Sequence, residues 1–173
     1  MKSFIVVLLV VLFSQCSGPR IYIVRHAEKE TVSQDPDLTA EGKARAEDLA
    51  AVMKNNKIEK IYSTETNRTK QTAAPFSAQS GIHIEPYRND TLQKFLYHIL
   101  ESGKNTLIIG HSNTSLTMLR ELSLTPSMNE IPEDDYDNLF IVTLKSRSGP
   151  AGFRLKLKES TYGKKSPAPE KAR

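Results

Sequence analysis

The sequence is poor in cysteine and lacks the motifs of several common kinds of site. Its 173 residues include a single cysteine, Cys16, so no disulfide can form within the chain. It has no His-Glu-x-x-His segment, no cysteine pair at zinc-ligand spacing and no carboxylate cluster near a strand end. The sequence therefore predicts no metal ion and no other cofactor. A Gly-x-x-x-x-Gly-Lys loop, the usual signal for a nucleotide site, is also missing.

Charge is nearly balanced, which argues against a nucleic-acid partner. The chain has 24 Lys and Arg against 20 Asp and Glu, a net charge of +4. No RNA- or DNA-binding motif is present, and the arginines singled out below are scattered rather than arranged in a basic stripe. Part of the basic excess falls at the end of the chain, in a Lys/Pro/Ser-rich tail over residues 159–173 that we predict to be disordered and solvated.

The apolar run of residues 4–13 lies near the amino terminus, behind the basic residue Lys2. Ten residues are too few to span a bilayer but suit the core of a signal peptide. Cys16 follows, and a cysteine in this place resembles a bacterial lipoprotein signal in which Cys16 is acylated, although Phe13-Ser14-Gln15 departs from the usual box. An ordinary signal peptide with an incidental Cys16 is the alternative. We predict export and membrane anchoring by lipid at Cys16, facing the periplasm or exterior.

The rest of the chain reads as one domain over residues 17–158, after a signal peptide over residues 1–16. Apolar, β-branched runs predict strands over 21–24, 60–64, 82–86, 106–109, 139–144 and 153–157. Helical spacing follows Thr39, a good N-cap, and recurs after three later strands; Pro75 should kink or shorten the second helix. This alternation predicts a three-layer α/β/α sandwich, with a mostly parallel central sheet and antiparallel C-terminal strands.

Two of the predicted buried strands end in a histidine. The first leads into Arg25 and His26, and the strand over 106–109 leads through a glycine to His111. Between them, the strand over 60–64 is followed by Arg68. Open α/β sheets bind ligands at the carboxyl ends of their strands, and arginine presents a planar fork that matches phosphate oxygens. These four side chains therefore predict a site for one small anion.

The motifs around these residues resemble the histidine phosphatase (phosphoglycerate mutase-like) superfamily from about residue 21 to residue 156. The matching segments are Arg25-His26-Ala27-Glu28, Ser63…Arg68-Thr69…Gln71-Thr72-Ala73 and Gly110-His111-Ser112. The resemblance implies a phosphoglycerate mutase-like fold. It also implies a histidine acid phosphatase-type hydrolase, which needs no metal and passes the phosphoryl group of a small phosphomonoester through a phosphohistidine.

The resemblance also implies a role for each matching residue. His26 matches the nucleophile, and Arg25, Arg68 and His111 match the phosphate-binding residues. Asp90 is a candidate for the acid that protonates the leaving oxygen, with an N-cap of the next helix as an equal alternative. Glu28 is expected to pair with an arginine. Lys29 is expected to be a solvated loop lysine, with a substrate contact as the alternative. Minor phosphate contacts are expected from the polar residues Ser63, Asn113 and Thr114.

Three other functions remain open from sequence. A mutase has the same pocket, but it needs a lid against water and no long insertion follows Arg68. A short protein phosphohistidine phosphatase has a similar size, although export would separate it from its usual partners. A non-catalytic lipoprotein that binds a phosphorylated ligand is favoured by the weak general acid and disfavoured by the intact His26.

Overall fold

The computed structural model describes residues 18–146 and 153–167, in which strands and helices alternate as predicted. A 3-10 turn over Asn89–Thr91 precedes the third helix. The strands are β1 (Arg20–Arg25), β2 (Lys60–Ser63), β3 (Ile84–Pro86), β4 (Thr106–Gly110), β5 (Asn138–Ser146) and β6 (Phe153–Thr161). The helices are α1 (Ala40–Met53), α2 (Asn67–Ser80), α3 (Leu92–Ser102) and α4 (Ser112–Glu121).

The strands form one six-stranded sheet in the order β3-β2-β4-β1-β5-β6. The first four of these are parallel to one another, and β5 and β6 add to the edge in antiparallel fashion. The predicted α/β fold with antiparallel C-terminal strands is confirmed. Because β1 and β2 are both parallel to β4, which lies between them, the carboxyl ends of these three strands lie at the same end of the sheet. Arg25 at the end of β1 is directly opposite Gly110 at the end of β4.

Both faces of the sheet are buried, which explains why the central strands are apolar throughout. Side chains alternate along β1, so that Ile23 packs with residues of α3 and α4 such as Leu96 and Leu119. Val24 faces the other side and packs with residues of α1 and α2, such as Leu49. Each fully buried side chain of this kind contributes roughly 1.5–3 kcal/mol. This double burial fixes the strand ends that carry the candidate site.

Helix boundaries agree with the sequence in α1 and, apart from the effect expected of Pro75, also in α2. The Thr39 side chain accepts a hydrogen bond from the Gly42 N–H at 3.0 Å, so the predicted N-cap is confirmed. Pro75 was expected to kink or shorten α2, but the helix continues to Ser80 and ends at Gly81, whose φ is +72°. The shortening is therefore wrong, because the left-handed glycine rather than the proline ends the helix.

The prediction of a disordered tail is wrong for residues 159–167. Residues 159–161 complete β6, and Tyr162 is buried in the core on the α1 side. The Ser166 hydroxyl accepts a hydrogen bond from the Tyr136 backbone N–H at 2.8 Å, and the Ser166 backbone N–H donates to the Asp137 carboxylate at 3.0 Å. A tyrosine that packs in the core and a polar residue that closes a loop outweigh the local Lys/Pro/Ser composition.

The remaining terminal segments lie outside the described residues. They include residues 1–17, with the predicted signal peptide and Cys16, and residues 168–173 of the predicted tail. Export and lipid anchoring therefore stay predictions. Within the described part of the chain, no helix is both long and apolar enough to cross a membrane.

Candidate active site

The two strand-end histidines lie side by side at the carboxyl edge of the sheet. The backbone N–H of His26 donates to the Gly110 carbonyl at 2.9 Å, and the centroids of the His26 and His111 rings are 5.5 Å apart. Arg68 approaches from the first turn of α2. Together they border a pocket of about 570 Å³. Its lining residues all have polar side chains and are Arg25, His26, Lys29, Arg68, Asn89, His111, Ser112 and Asn113.

His26 has the geometry of a neutral nucleophile. Its Nδ1 lies 2.8 Å from the Ala27 carbonyl, which can only accept, so Nδ1 carries the proton and Nε2 has a free lone pair. The Ala27 N–H in turn donates to the Thr72 hydroxyl at 2.9 Å, which fixes this turn. Burial first, and then the positive charge of Arg25, lower the pKa of His26 to about 3, against the opposing effect of the bond to Ala27.

His111 is also neutral, and its neighbours define the tautomer. An Nη2 of Arg68 lies 3.4 Å from its Nδ1, and the Thr64 hydroxyl lies 3.1 Å from its Nε2. Arginine can only donate, so Nδ1 accepts and Nε2 carries the proton toward Thr64. Burial lowers the pKa of His111 to about 4, followed by the charges of Arg68 and Arg25, while the carboxylate of Asp35 acts in the opposite direction.

Arg25 is held rigidly beneath the pocket. Its Nη1 donates to the carbonyls of Pro132 at 2.7 Å and Asp135 at 3.0 Å, and its guanidinium lies 4.3 Å from the centre of the Tyr136 ring. Only 4% of Arg25 is exposed, and this burial lowers its pKa. Its Nε is buried without a partner among the described residues.

Arg68 is held between an acid and a histidine. Its Nη1 lies 3.5 Å from the Asp35 carboxylate, which also accepts the first N–H of α2, from Asn67, at 2.9 Å. Like that of Arg25, the Arg68 Nε is buried and lacks a partner within the described part of the chain. Buried donors without partners are uncommon and costly. An anion in the adjoining pocket is the kind of group that satisfies them.

Two of the predicted minor contacts do not reach the pocket. The Ser63 hydroxyl is buried and donates to the Thr64 carbonyl at 2.8 Å. Thr114 is also buried, with its hydroxyl directed to the Asn113 side chain at 3.3 Å. Of the three residues expected to make minor contacts, only Asn113 lines the pocket. Ser63 and Thr114 support neighbouring turns instead.

The structure does not bring Asp90 into the pocket. Its exposed carboxylate pairs with Arg88 at 2.8 Å, and it makes no capping bond to α3. Both roles considered for Asp90 therefore lack structural support. The 3-10 turn here directs Asn89 to the pocket and leaves Asp90 outside its lining. No carboxylate belongs to the pocket lining that the described residues form.

The structure also shows contacts that sequence reasoning misjudged or missed. The predicted pairing of Glu28 is confirmed, since its carboxylate holds the buried Arg45 at 2.8 Å. Lys29 was expected to be a solvated lysine, but it lines the pocket. An isolated β-bridge between Lys29 and Leu38 fixes its backbone there. Tyr136 and Asp35 carried no sequence signal, because each contacts its arginine across a long separation in the chain.

No group of three or more His, Cys, Asp or Glu side chains within residues 18–146 and 153–167 is arranged to hold a metal ion. The polar side chains of the pocket are arginine, lysine, histidine, serine and asparagine, which are mainly donors. This lining suits an anion.

Comparison of the fold with solved structures finds close counterparts of low sequence identity. "Mycobacterial hydrolase 1" has a TM-score of 0.64 at 11% identity, covering 81% of this chain and 97% of that chain. A mycobacterial glucosyl-3-phosphoglycerate phosphatase has a TM-score of 0.62 at 12% identity, with the same coverage of 81% and 97%. The "putative phosphohistidine phosphatase SixA from Agrobacterium tumefaciens" has a TM-score of 0.57 at 22% identity, covering 82% of this chain and 97% of that chain. Identities this low show the fold alone.

Comparison by sequence gives a family. No curated protein sequence matches the chain. A family model described as "Histidine phosphatase superfamily (branch 1)" matches residues 21–104, the stretch that carries Arg25, His26 and Arg68. With the fold and the two facing histidines, this match assigns residues 21–104 to the histidine phosphatase superfamily.

Proposed function

We propose that this protein is a metal-independent phosphatase that hydrolyses phosphomonoesters through a phosphohistidine on His26. The observation that carries the proposal is the state of the His26 ring. Its Nδ1 proton is bound to the Ala27 carbonyl, its pKa is lowered to about 3, and Nε2 is left as a neutral nucleophile. Two guanidinium groups and a second histidine surround it in a pocket that suits an anion.

In the first step, the Nε2 lone pair of His26 attacks phosphorus. A nitrogen–phosphorus bond forms, and the bond from phosphorus to the ester oxygen breaks, with its electron pair leaving on that oxygen. Arg25 and Arg68 bind the non-bridging oxygens, on which negative charge is spread. His111 gains a proton when the dianion enters, because the ligand offsets the nearby arginine charges, and it then donates to a phosphoryl oxygen.

In the second step, a water molecule attacks the phosphoryl group. The nitrogen–phosphorus bond breaks and returns its electron pair to Nε2, which leaves inorganic phosphate in the pocket. Over the two steps, the departing alkoxide gains one proton and the attacking water loses one, so that an ester and water give an alcohol and phosphate. The same arginines bind substrate and product, so phosphate should inhibit competitively.

The test is to trap the intermediate. Brief reaction with a ³²P-labelled phosphomonoester in the presence of a chelator, followed by an alkaline quench, should leave acid-labile label on the peptide that contains His26. The His26→Ala variant should lose both label and turnover, whereas His98→Ala, on the exposed face of α3, should keep both. Label on His111 would contradict the assignment, and loss of turnover with chelator would contradict metal independence. Phosphate binding without any turnover would favour the non-catalytic ligand-binding alternative.

A second candidate function is hydrolysis of phosphorus–nitrogen bonds, as in phosphohistidine. It is favoured by the lack of a carboxylate in the described pocket lining, because imidazole leaves more readily than an alkoxide and depends less on a carboxylic acid. The SixA protein with the same fold is described as a "putative phosphohistidine phosphatase". The comparison to make is kcat/KM for phosphohistidine, an aryl phosphate and an alkyl phosphate. Comparable rates for the aryl ester and phosphohistidine support the first proposal, and turnover of phosphohistidine alone supports the second.

A further inference from the structure

The end of the domain opposite the pocket brings several basic loops together. Asn105, before β4, is the link, since its side chain accepts from the Arg20 N–H at 2.9 Å and donates to the Lys57 carbonyl at 3.1 Å. The Leu144 N–H donates to the Pro19 carbonyl at 2.9 Å and so joins the end of β5 to the same group. We call this the basal surface, and its cations are Arg20, Lys54, Lys57, Lys104, Lys145 and Arg154.

These cations are available to a partner. Lys57, Lys104 and Lys145 are exposed, and no cation of the basal surface forms a salt bridge with any residue that the structure describes. Two carboxylates lie nearby. That of Glu59 accepts the Asn105 N–H at 3.1 Å, and Glu101 lies in the last turn of α3. A further lysine at this end, Lys60 at the start of β2, is paired with Glu85. Among the described residues, six cations without a salt bridge therefore face two carboxylates, which leaves the surface positive.

The pocket is at the far end of the sheet from this surface. Arg20 begins β1 at the basal surface and Arg25 ends it at the pocket. Five steps at about 3.3 Å each separate the two ends by roughly 17 Å. A partner on the basal surface therefore leaves the pocket open.

We infer that the basal surface binds anionic lipid headgroups and holds the pocket away from the membrane. Gly18 packs against the end of β5 so closely that a Cβ on it would lie 1.8 Å from the Leu144 carbonyl oxygen. Cys16 is two residues before Gly18, and two residues span at most about 7 Å. Lipid at Cys16, as the sequence predicts, would place this surface at the headgroups.

A basic patch beside the lipid adds an electrostatic attraction to anionic headgroups to the hydrophobic attraction of the anchor. Each lysine or arginine near an anionic bilayer raises partitioning by about fivefold. The orientation depends on the predicted lipid, whereas the attraction depends only on charges of the described residues. The two can be tested separately.

The test uses the full chain with Cys16→Ser, so that no lipid is attached. Partitioning is measured on phosphatidylcholine vesicles with and without phosphatidylglycerol, and the ratio cancels any binding by the apolar amino-terminal run. The basal variant combines Lys57→Glu, Lys104→Glu and Lys145→Glu. A control variant with the same net charge changes three exposed lysines elsewhere, Lys43→Glu, Lys94→Glu and Lys158→Glu.

The basal variant should lose at least tenfold in the ratio between anionic and neutral vesicles, and the control variant should stay within about threefold of the parent. Equal losses in both variants, or no loss in either, would overturn the inference. So would a parent protein that binds an oligonucleotide in preference to anionic vesicles. Turnover of a small aryl phosphate, measured in solution for all three proteins, reports the proposed function independently and verifies folding.

Discussion

The neutral state of His26 should make the stability of the fold depend on pH. An ordinary histidine has a pKa of about 6.5, whereas burial lowers the pKa of His26 in the folded protein to about 3. Between these values the unfolded chain takes up a proton that the folded chain cannot. The free energy of unfolding should therefore be largest above about pH 6.5 and fall as the pH decreases toward 3.

The magnitude follows from the difference between the two pKa values. A pH of about 5 is roughly 1.5 units below the pKa of the unfolded histidine, and each unit corresponds to about 1.4 kcal/mol. His26 alone should therefore lower the free energy of unfolding at this pH by about 2 kcal/mol. His26 is 3% exposed, which leaves little solvent screening to reduce this figure. His111, with its pKa lowered to about 4, adds a loss in the same direction.

The assay is urea unfolding in phosphate-free buffer at several pH values from about 7 to 5. A His26→Gln variant has no titrating group at this position, so its loss of stability over the range should be smaller than that of the wild type by about 2 kcal/mol. His98→Gln, at an exposed position of α3, serves as the matched control and should retain the wild-type slope. Identical slopes for the wild type and His26→Gln would refute the buried, neutral state of His26.

Three further outcomes are expected. Arg68→Lys should lower kcat/KM by roughly tenfold or more and weaken inhibition by phosphate, because lysine lacks the planar fork of arginine. Unchanged values for both would contradict the binding of phosphate by Arg68. Asp35→Asn should lower the pKa of His111 further in NMR titration, since the Asp35 charge raises it, and an unchanged pKa would argue against this electrostatic interaction. Glu28→Gln should destabilise the fold by about 3 kcal/mol in urea unfolding, because the buried Arg45 loses its charged partner; a loss below 1 kcal/mol would show that Arg45 finds another.

The features predicted correctly from the sequence are those determined by short segments. β1 and β4 were recognisable because they are continuous apolar runs, and His26 and His111 follow them directly. The parallel pairing of these strands then brings the two histidines together without further information. Thr39 was predictable for a similar reason, since an N-cap requires only the next few residues.

The features that sequence reasoning missed depend on the tertiary structure. Asp90 has the local signal of a helix cap, but the chain enters α3 through a 3-10 turn that directs its carboxylate to Arg88. The basic composition of the tail gave no indication that Tyr162 packs in the core. Tyr136 contacts Arg25 across 111 positions of the sequence, from a segment without regular structure. Contacts of this kind are set by how separate segments pack, and no short pattern encodes them.

The two histidines are close enough to repel each other when charged, and their environments decide which one takes a proton. Both are surrounded by the same arginines, but His26 has the lower pKa, about 3 against about 4 for His111. In the proposed mechanism, a proton that accompanies an incoming phosphate dianion goes to His111. His111 then becomes a donor to the phosphoryl oxygens, and its charge keeps His26 neutral. If the site works as proposed, the cations that bind the anion also keep His26 neutral for attack, so that one small cluster serves both binding and catalysis.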